Sequence, residues 1–231
     1  MNLIKIDLHV HSTDSSYTGS NISEESNLEK LLILQKHKVK VASFADHDNF
    51  YLDSYIKRLK LIDDNKIDIL LLPGLEVNLK KYNGQIGQAI IVFDPNSNLE
   101  SLHALTTKVF RNNNNKLTYK EAVNLFKEKE FNFMIFPHAG KAQDNMEWED
   151  IEGSQVDGLD VTDFNSTNKK KILKQNPELP VVYFSDTHTW RKYPQYGKFC
   201  SYVEVSDKSN FTFKEIKENI NKKKIDMDKI I

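Results

Sequence analysis

The sequence predicts an α/β fold: a mostly parallel sheet, closed as a barrel or open and doubly wound, with helices packed outside it. Three observations carry this. Short apolar runs alternate with amphipathic stretches along the whole chain. The runs are strand-sized, and the longest unbroken one, Ala89–Phe93, is far too short to span a bilayer. A length of 231 residues with 39% hydrophobic residues supports one large buried core, and α/β barrels commonly reach this size as one domain.

The elements follow in order. Leu3–Val10 reads as the first strand. Ser23, followed by Glu24 and Glu25, suits a helix start, and Leu28, Leu31, Leu32 and Gln35 then share a face. Strand Val39–Ala45 precedes a helix whose face is Tyr55, Ile56, Leu59 and Ile62. Strands are expected next at Ile69–Leu72 and Gln88–Phe93. Thr118-Tyr119-Lys120-Glu121 reads as a capping box before Ala122, Val123, Leu125 and Phe126. Further strands are expected at Phe133–Phe136, Gly158–Val161, Val181–Phe184 and Phe199–Val205. Thr212-Phe213-Lys214-Glu215 is a second capping box, before a helix with Ile216 and Ile220. The Lys-rich tail, Asn221 to Ile231, reads as a solvated helix end. The polar stretches at Asn112–Asn115 and Asn165–Lys171 are too short to separate domains, so residues 1–231 are expected to form one.

Composition excludes several classes. One Cys cannot form an internal disulfide, which excludes a disulfide-stapled fold and suits a reducing compartment. A net charge of −1 argues against an electrostatic clamp on long nucleic acid. The N-terminus, Met1-Asn2-Leu3-Ile4-Lys5-Ile6-Asp7, turns charged at once and does not read as a signal peptide, so a cytoplasmic protein without a membrane partner is expected.

The chemistry sits where apolar strands end. In Asp7-Leu8-His9-Val10-His11, strand alternation puts Asp7, His9 and His11 on one face. Two imidazoles spaced i, i+2 can converge on one cation, with Asp7 orienting one of them from behind. Alone, such a pair is more often two polar residues at a strand end. In Ala45-Asp46-His47-Asp48 the acids either hold the His47 ring or cap the next helix. Glu76 follows Pro73-Gly74-Leu75; it is either an exposed loop residue or a buried carboxylate that needs a cation. His138, in Phe136-Pro137-His138-Ala139-Gly140-Lys141, again lies just beyond an apolar run. Asp186 and His188, in Ser185-Asp186-Thr187-His188, repeat the i, i+2 spacing. Each signal is modest, but the joint placement of five His and two or three carboxylates at strand ends is not. In a parallel barrel those ends converge on one face. The donor set is nitrogen and oxygen without thiolate, which suits Zn²⁺, Mn²⁺ or Fe²⁺. His37 and His103 fall in helical patterns and read as surface or packing residues.

The order of these motifs, from Asp7-Leu8-His9-Val10-His11-Ser12 to Ser185-Asp186-Thr187-His188, resembles the PHP (polymerase and histidinol phosphatase) family of metal-dependent phosphoesterases. The resemblance implies a distorted (βα)7 barrel with two or three divalent ions (Zn, Mn or Fe) at the C-terminal strand ends. It implies that His9, His11, Glu76 and Asp186 hold the first ion. Glu76 bridges to a second ion that takes His138, and His47 and His188 belong to a third. The chain departs from the family at Gln88, where a His is frequent, and at Ser12-Thr13-Asp14-Ser15-Ser16-Tyr17, where the family has a Ser-Asp-Gly or a His. One tight site, a second of moderate affinity and a weak third follow.

Both readings point to hydrolysis by a metal-activated water, with Glu76, Asp186 and His188 as the catalytic groups and His188 as candidate proton donor to the leaving oxygen. Arg191 and Lys141, beside the ligand loops, are candidate phosphate contacts, or else solvated cations. Trp190, Tyr193 and Tyr196 offer a stacking wall for a base or sugar, and Asp160 and Asp163 offer further pocket groups. The leading expectation is a phosphoesterase acting on a small phosphomonoester or nucleotide. The alternatives are a phosphodiesterase or nuclease acting on short nucleic-acid ends, for which Lys169–Lys171 and Lys222–Lys224 supply charge, and a noncatalytic module with a degraded metal site. Amidohydrolase barrels also open with an HxH pair, but Ala45-Asp46-His47-Asp48 and the terminal Ser-Asp-Thr-His favour the phosphoesterase.

Overall fold

The structure is a computed structural model that describes residues 2–14, 25–113, 116–141 and 144–229. The first half of the chain forms β1 (Leu3–Val10), α1 (Asn27–Lys36), β2 (Val39–Phe44), α2 (Leu52–Asp64), β3 (Leu70–Leu71), β4 (Gly74–Lys80) and β5 (Ile86–Phe93). Helices α3 (Leu99–Thr106) and α4 (Tyr119–Glu128) follow, then β6 (Phe133–Gly140), α5 (Trp148–Ile151), β7 (Leu159–Val161) and α6 (Thr167–Gln175). The chain ends with β8 (Val181–Val182), β9 (Phe199–Glu204), α7 (Phe213–Asn221) and β10 (Ile225–Lys229).

The α/β class holds, but the expected (βα)7 barrel does not form. The strands make two mixed five-stranded sheets, ordered β10-β9-β1-β2-β3 and β4-β5-β6-β7-β8. Two departures from strand–helix alternation explain this. β4 and β5 are joined by a hairpin and pair antiparallel, and β5 also pairs antiparallel with β6. β9 pairs antiparallel with β1. Parallel pairing survives only between β1, β2 and β3 and between β6, β7 and β8. The sheets touch through two isolated bridges, His47 with Glu76 and Val10 with Thr187. At the start of β4 the backbones come close: a Cβ on Gly74 would lie 2.2 Å from Ser43 Oγ, so only glycine fits.

The core lies between the sheets. Ile4, Ile6 and Leu8 of β1 pack with Val41, Ile90, Val92, Met134, Phe136 and Val182. Phe213, Ile216 and Ile220 of α7 pack into the same cluster. Phe136 and Phe184 meet edge to face at 5.3 Å, a favoured aromatic geometry. A second apolar cluster packs the other helices through Leu31, Leu34, Tyr55, Leu102, Phe126 and Ile172.

Local signals behave unevenly. The box at Thr118 forms in full, with Thr118 and Glu121 each accepting from the other's backbone N–H. At Thr212 only half forms: Thr212 accepts from Glu215 N, but the Glu215 carboxylate accepts from Ser206 N instead. Helix α1 is capped by Ser26, with Glu29 completing the box; Ser23, the expected cap, lies outside the described residues. The tail corrects the helix-end expectation. Ile225-Asp226-Met227-Asp228-Lys229 pairs antiparallel with β9 as β10.

Candidate metal centre

β1 and β2 deliver His9, His11 and His47 to one place, and β4 delivers Glu76 against them. Glu76 lies within a strand and is 2% exposed, so the buried alternative for this carboxylate is the one realised. His138 comes from β6 and Asp160 from β7; Asp186 and His188 follow β8. Asp186 holds a left-handed φ of 49°, a conformation that Asp tolerates better than most residues and that clusters at functional sites.

The five strand-end imidazoles and two carboxylates converge. His9 Nε2 lies 3.0 Å from His11 Nε2, 3.6 Å from Glu76 Oε1 and 3.4 Å from Asp186 Oδ1. His11 Nε2 is 3.4 Å from both Glu76 Oε2 and Asp186 Oδ1. Glu76 also reaches His47 Nε2 at 3.2 Å and His138 Nε2 at 3.3 Å. His188 Nδ1 is 3.4 Å from Asp186 Oδ1, and its ring stacks on His11 at 4.0 Å. Three donor sets each fall within 4.8 Å: His11–His47–His188, His9–Glu76–His138 and His9–His11–Asp186.

These residues fit a metal on two counts. Nitrogens 3.0 Å apart match two ligands at about 2.0–2.1 Å from one ion, set roughly at a right angle. Also, His11 Nδ1, both ring nitrogens of His138 and Asp160 Oδ1 are buried and make no hydrogen bond. Buried polar atoms are rarely left so, and a cation at the centre would engage donors of this kind.

The supporting groups differ from those expected. The pairing of β1 with β2 shifts register between Asp7 and Val10, which breaks the simple alternation. Asp7 therefore does not back the imidazoles. It accepts from Ser185 N at 3.0 Å and Tyr193 Oη at 2.7 Å, and so pins the loop that carries Asp186. Asp160 takes the orienting role, with Oδ2 2.9 Å from His9 Nδ1. Asp46 and Asp48 are not helix caps, since Tyr51 is the cap of α2. Asp46 accepts from Ser12 N and Oγ at 2.7 and 2.6 Å. Asp48 accepts from Asn78 N and Nδ2 and from Lys116 Nζ. The two acids thus staple the His47 turn to its neighbours.

Electrostatics agree with the geometry. Burial penalises a proton on His11 and holds it down at about 3; burial likewise lowers His138 to about 4. His9 is the exception. Burial and the Lys141 charge oppose its proton, but Asp186, Glu76 and Asp160 outweigh them and raise it to about 10. Burial opposes ionised Glu76 and Asp186, yet the surrounding His47, His9 and Lys141 charges hold both well below the usual carboxylate range. The carboxylates therefore favour positive charge at the centre.

The centre opens into a cleft of about 1070 Å³. His47, Glu76, Lys141, Asp186 and His188 form its polar floor, with Asn78, Gln88 and Asp144 beside them. Gln88 donates through Nε2 to Asn78 Oδ1 at 3.1 Å. Of the expected aromatic wall only Tyr196 lines the cleft, 44% exposed. Trp190 and Tyr193 are buried and stack on each other at 5.8 Å; Trp190 Nε1 donates to His11 O. The other wall aromatics are Phe164 and Phe199, with Lys198 next to them; sequence reasoning missed all three. Phe164 shared a signal with Asp160 and Asp163, the end of a short strand. Lys198 precedes the antiparallel strand β9 and Phe199 opens it, and neither carried one. Arg191 is exposed on a 3-10 turn and is not among the lining residues. His37 and His103 lie outside the cluster, His37 against Tyr193 and His103 Nδ1 2.6 Å from Phe50 O.

Fold and site together define an α/β protein with a buried cluster of nitrogen and oxygen donors that could hold metal. No protein-family model and no curated protein matches the chain. Among solved structures it is similar to a protein from Bifidobacterium adolescentis described as a "putative metal-dependent phosphoesterase". The two are 14% identical, the match covers 80% of this chain and 88% of that one, and the TM-score is 0.54. At that identity the likeness establishes a shared fold.

Proposed function

We propose that the chain is a single-domain, metal-dependent phosphoesterase of the PHP type that hydrolyses a small phosphomonoester or nucleotide. The observation that carries the reading is the convergence of five imidazoles with Glu76 and Asp186 on the floor of an open cleft, with buried donor atoms left unpaired. The order of motifs and the name of the structural neighbour point the same way.

His9, His11, His47, His138, His188, Glu76 and Asp186 would hold divalent ions, with Zn²⁺, Mn²⁺ and Fe²⁺ all suited to these donors. Such ions supply Lewis acidity toward a phosphoryl oxygen and lower the pKa of water at the site. The chain supplies the rest. Asp160 fixes the His9 tautomer with Nδ1–H inward, leaving Nε2 for the centre. Asp7, Ser185 and Tyr193 hold the Asp186 loop against it. His188, in T-shaped contact with Tyr196 at 6.3 Å, would serve as a ligand beside the aromatic wall; an imidazole so engaged is a poor proton donor, which leaves protonation of the leaving oxygen to solvent. Lys141 faces the same floor, where its ammonium would meet a phosphoryl oxygen. Tyr196, Phe164 and Phe199 give the leaving group an aromatic wall, which favours a base or sugar. The single Cys200, buried and unpaired, suits the cytoplasm. Among the described residues no helix is long and apolar enough to cross a membrane.

The test is a phosphate-release screen of the Mn²⁺- and Zn²⁺-loaded protein against phosphomonoesters, nucleotides and short oligonucleotides. Release from monoesters or nucleotides, lost on chelation, is expected. Cleavage of oligonucleotides alone would move the reading to an end-directed diesterase, and no cleavage by metal-loaded protein would overturn it.

A further inference from the structure

Lys141 is buried directly after β6, with only 7% of its surface exposed. Its ammonium lies 3.2 Å from Asp160 Oδ2, 3.3 Å from Asp186 Oδ2 and 3.1 Å from His9 Nδ1. Among the described residues no other lysine or arginine pairs with Asp160, Asp186 or Glu76. Surface lysines reach out to solvent; this one is folded inward, onto the Asp186 oxygen that does not face the imidazoles and onto the Asp160 oxygen that also meets His9.

The donor sets limit how many ions can bind. Asp160 occupies His9 Nδ1, so His9 offers one nitrogen, Nε2. The sets His9–Glu76–His138 and His9–His11–Asp186 both need it. One imidazole nitrogen serves one ion, so these sets cannot be filled by two separate ions. The remaining set, His11–His47–His188, shares His11 with the Asp186 set, so the two sets that have no residue in common are His9–Glu76–His138 and His11–His47–His188.

We propose that Lys141 is a permanent cation of this centre, standing in for the charge of a third ion and holding the chain to two divalent ions. The proposal rests on the metal-centre reading above and adds a count and a residue to it. The charges support it. Three carboxylates and one ammonium leave the cluster doubly negative. Two divalent ions turn that into a doubly positive floor, the complement of a phosphomonoester dianion. A third ion beside Lys141 would have to displace the ammonium from Asp160 and Asp186 or bind against its repulsion.

The experiment needs no substrate. The full chain, its Lys141→Met variant and its Lys141→Arg variant are titrated with Mn²⁺ by calorimetry, and the bound ions are counted by elemental analysis after gel filtration. Wild type is expected to hold two ions. Lys141→Met, without the repelling charge, is expected to bind its first ion about tenfold more tightly or to take up a third. Lys141→Arg keeps the charge and is expected to hold two. A wild type that holds one or three ions overturns the proposal and leaves the phosphoesterase reading standing. A wild type that holds none overturns both. A Lys141→Met protein with unchanged or weaker binding, or a Lys141→Arg protein with three ions, also overturns the proposal. The wild-type count keeps it falsifiable if Lys141→Met fails to fold.

Discussion

Two layers lie between the sheets, one on top of the other, and both are buried. The lower layer is Ile4, Ile6, Leu8, Val92, Phe136 and Phe184. The upper layer is His9, His11, Glu76, His138, Asp160 and their neighbours. In the lower layer burial is the stabilising force, worth about 1.5–3 kcal/mol for each large side chain. In the upper layer the same burial is a cost, because charged and polar groups lose water and several of their atoms find no partner. One layer holds the fold together; the other is held by it, and its donors are of the kind that a cation engages.

The largest expected effect separates the layers by function. His9→Ala and Asp186→Ala should each lower phosphate release by about 10³-fold or more, since each removes a donor at the centre, while circular dichroism and the thermal transition stay close to wild type. Unchanged turnover in both would remove these residues from the site. Next in size, Phe136→Ala should lower unfolding stability by about 3–5 kcal/mol in urea titration, with the metal count per folded chain unchanged. A loss under about 1 kcal/mol would mean that the lower layer is not the core.

The upper layer has its own signature. His138→Leu removes an imidazole whose two nitrogens are both buried without a hydrogen bond. Replacing an unsatisfied polar group with an apolar one of similar volume should leave the metal-free protein as stable as wild type, or about 1 kcal/mol more so. Saturating Mn²⁺ should reverse the order. At a hundredfold excess over Kd, wild type should gain about 2.7 kcal/mol and the variant less. Metal titrations of both proteins by differential scanning calorimetry test this, and equal gains would exclude His138 as a ligand.

The lower layer was legible because hydrophobic periodicity depends on nearest neighbours in sequence. The strand runs at Leu3–Val10 and Phe133–Phe136 mark real strands. The ligand residues were legible for a similar reason: a His or carboxylate at the end of an apolar run is a local pattern. What was not legible depends on how the strands pair. The sequence leaves Glu76 as either a loop residue or a buried carboxylate, whereas it lies inside β4, which begins at Gly74, where the strand packs against Ser43. The barrel expectation assumed a helix after every strand. Asn83-Gly84, with Gly84 at φ 82°, is a hairpin signal and joins β4 directly to β5. In the tail, four lysines mask the alternation Ile225-Asp226-Met227-Asp228 that pairs with β9. Asp160 replaced Asp7 behind His9 because of a register shift that no local pattern announces.

The smallest effect expected lies on the wall between the layers and solvent, where polar groups are fully partnered. Asp14 accepts from Arg58 Nη2 at 2.6 Å and from the Ser54 hydroxyl at 2.8 Å, and its other close neighbour is Ser12 Oγ at 2.8 Å, whose one proton is shared with Asp46. Arg58 is 3% exposed and lies over the Phe44 ring at 4.1 Å, so Asp14 is its anionic partner in a tight setting. Burial alone would raise the Asp14 carboxyl, but the Arg58 charge and the hydrogen bonds around it hold it below its ordinary value. The sign follows. A carboxyl with a lower pKa in the folded than in the unfolded chain stabilises the fold above the unfolded value, and that contribution is lost as pH falls through the folded value. Asp14→Asn should therefore cost about 1 kcal/mol at pH 7, discounted for its partial exposure. The difference from wild type should shrink steadily below about pH 4. Urea titrations of the two proteins from pH 7 to pH 3 test it. A difference that stays constant over that range would show that the Ser54 contact, which the Asn amide oxygen keeps, holds this wall in place rather than the ion pair with Arg58.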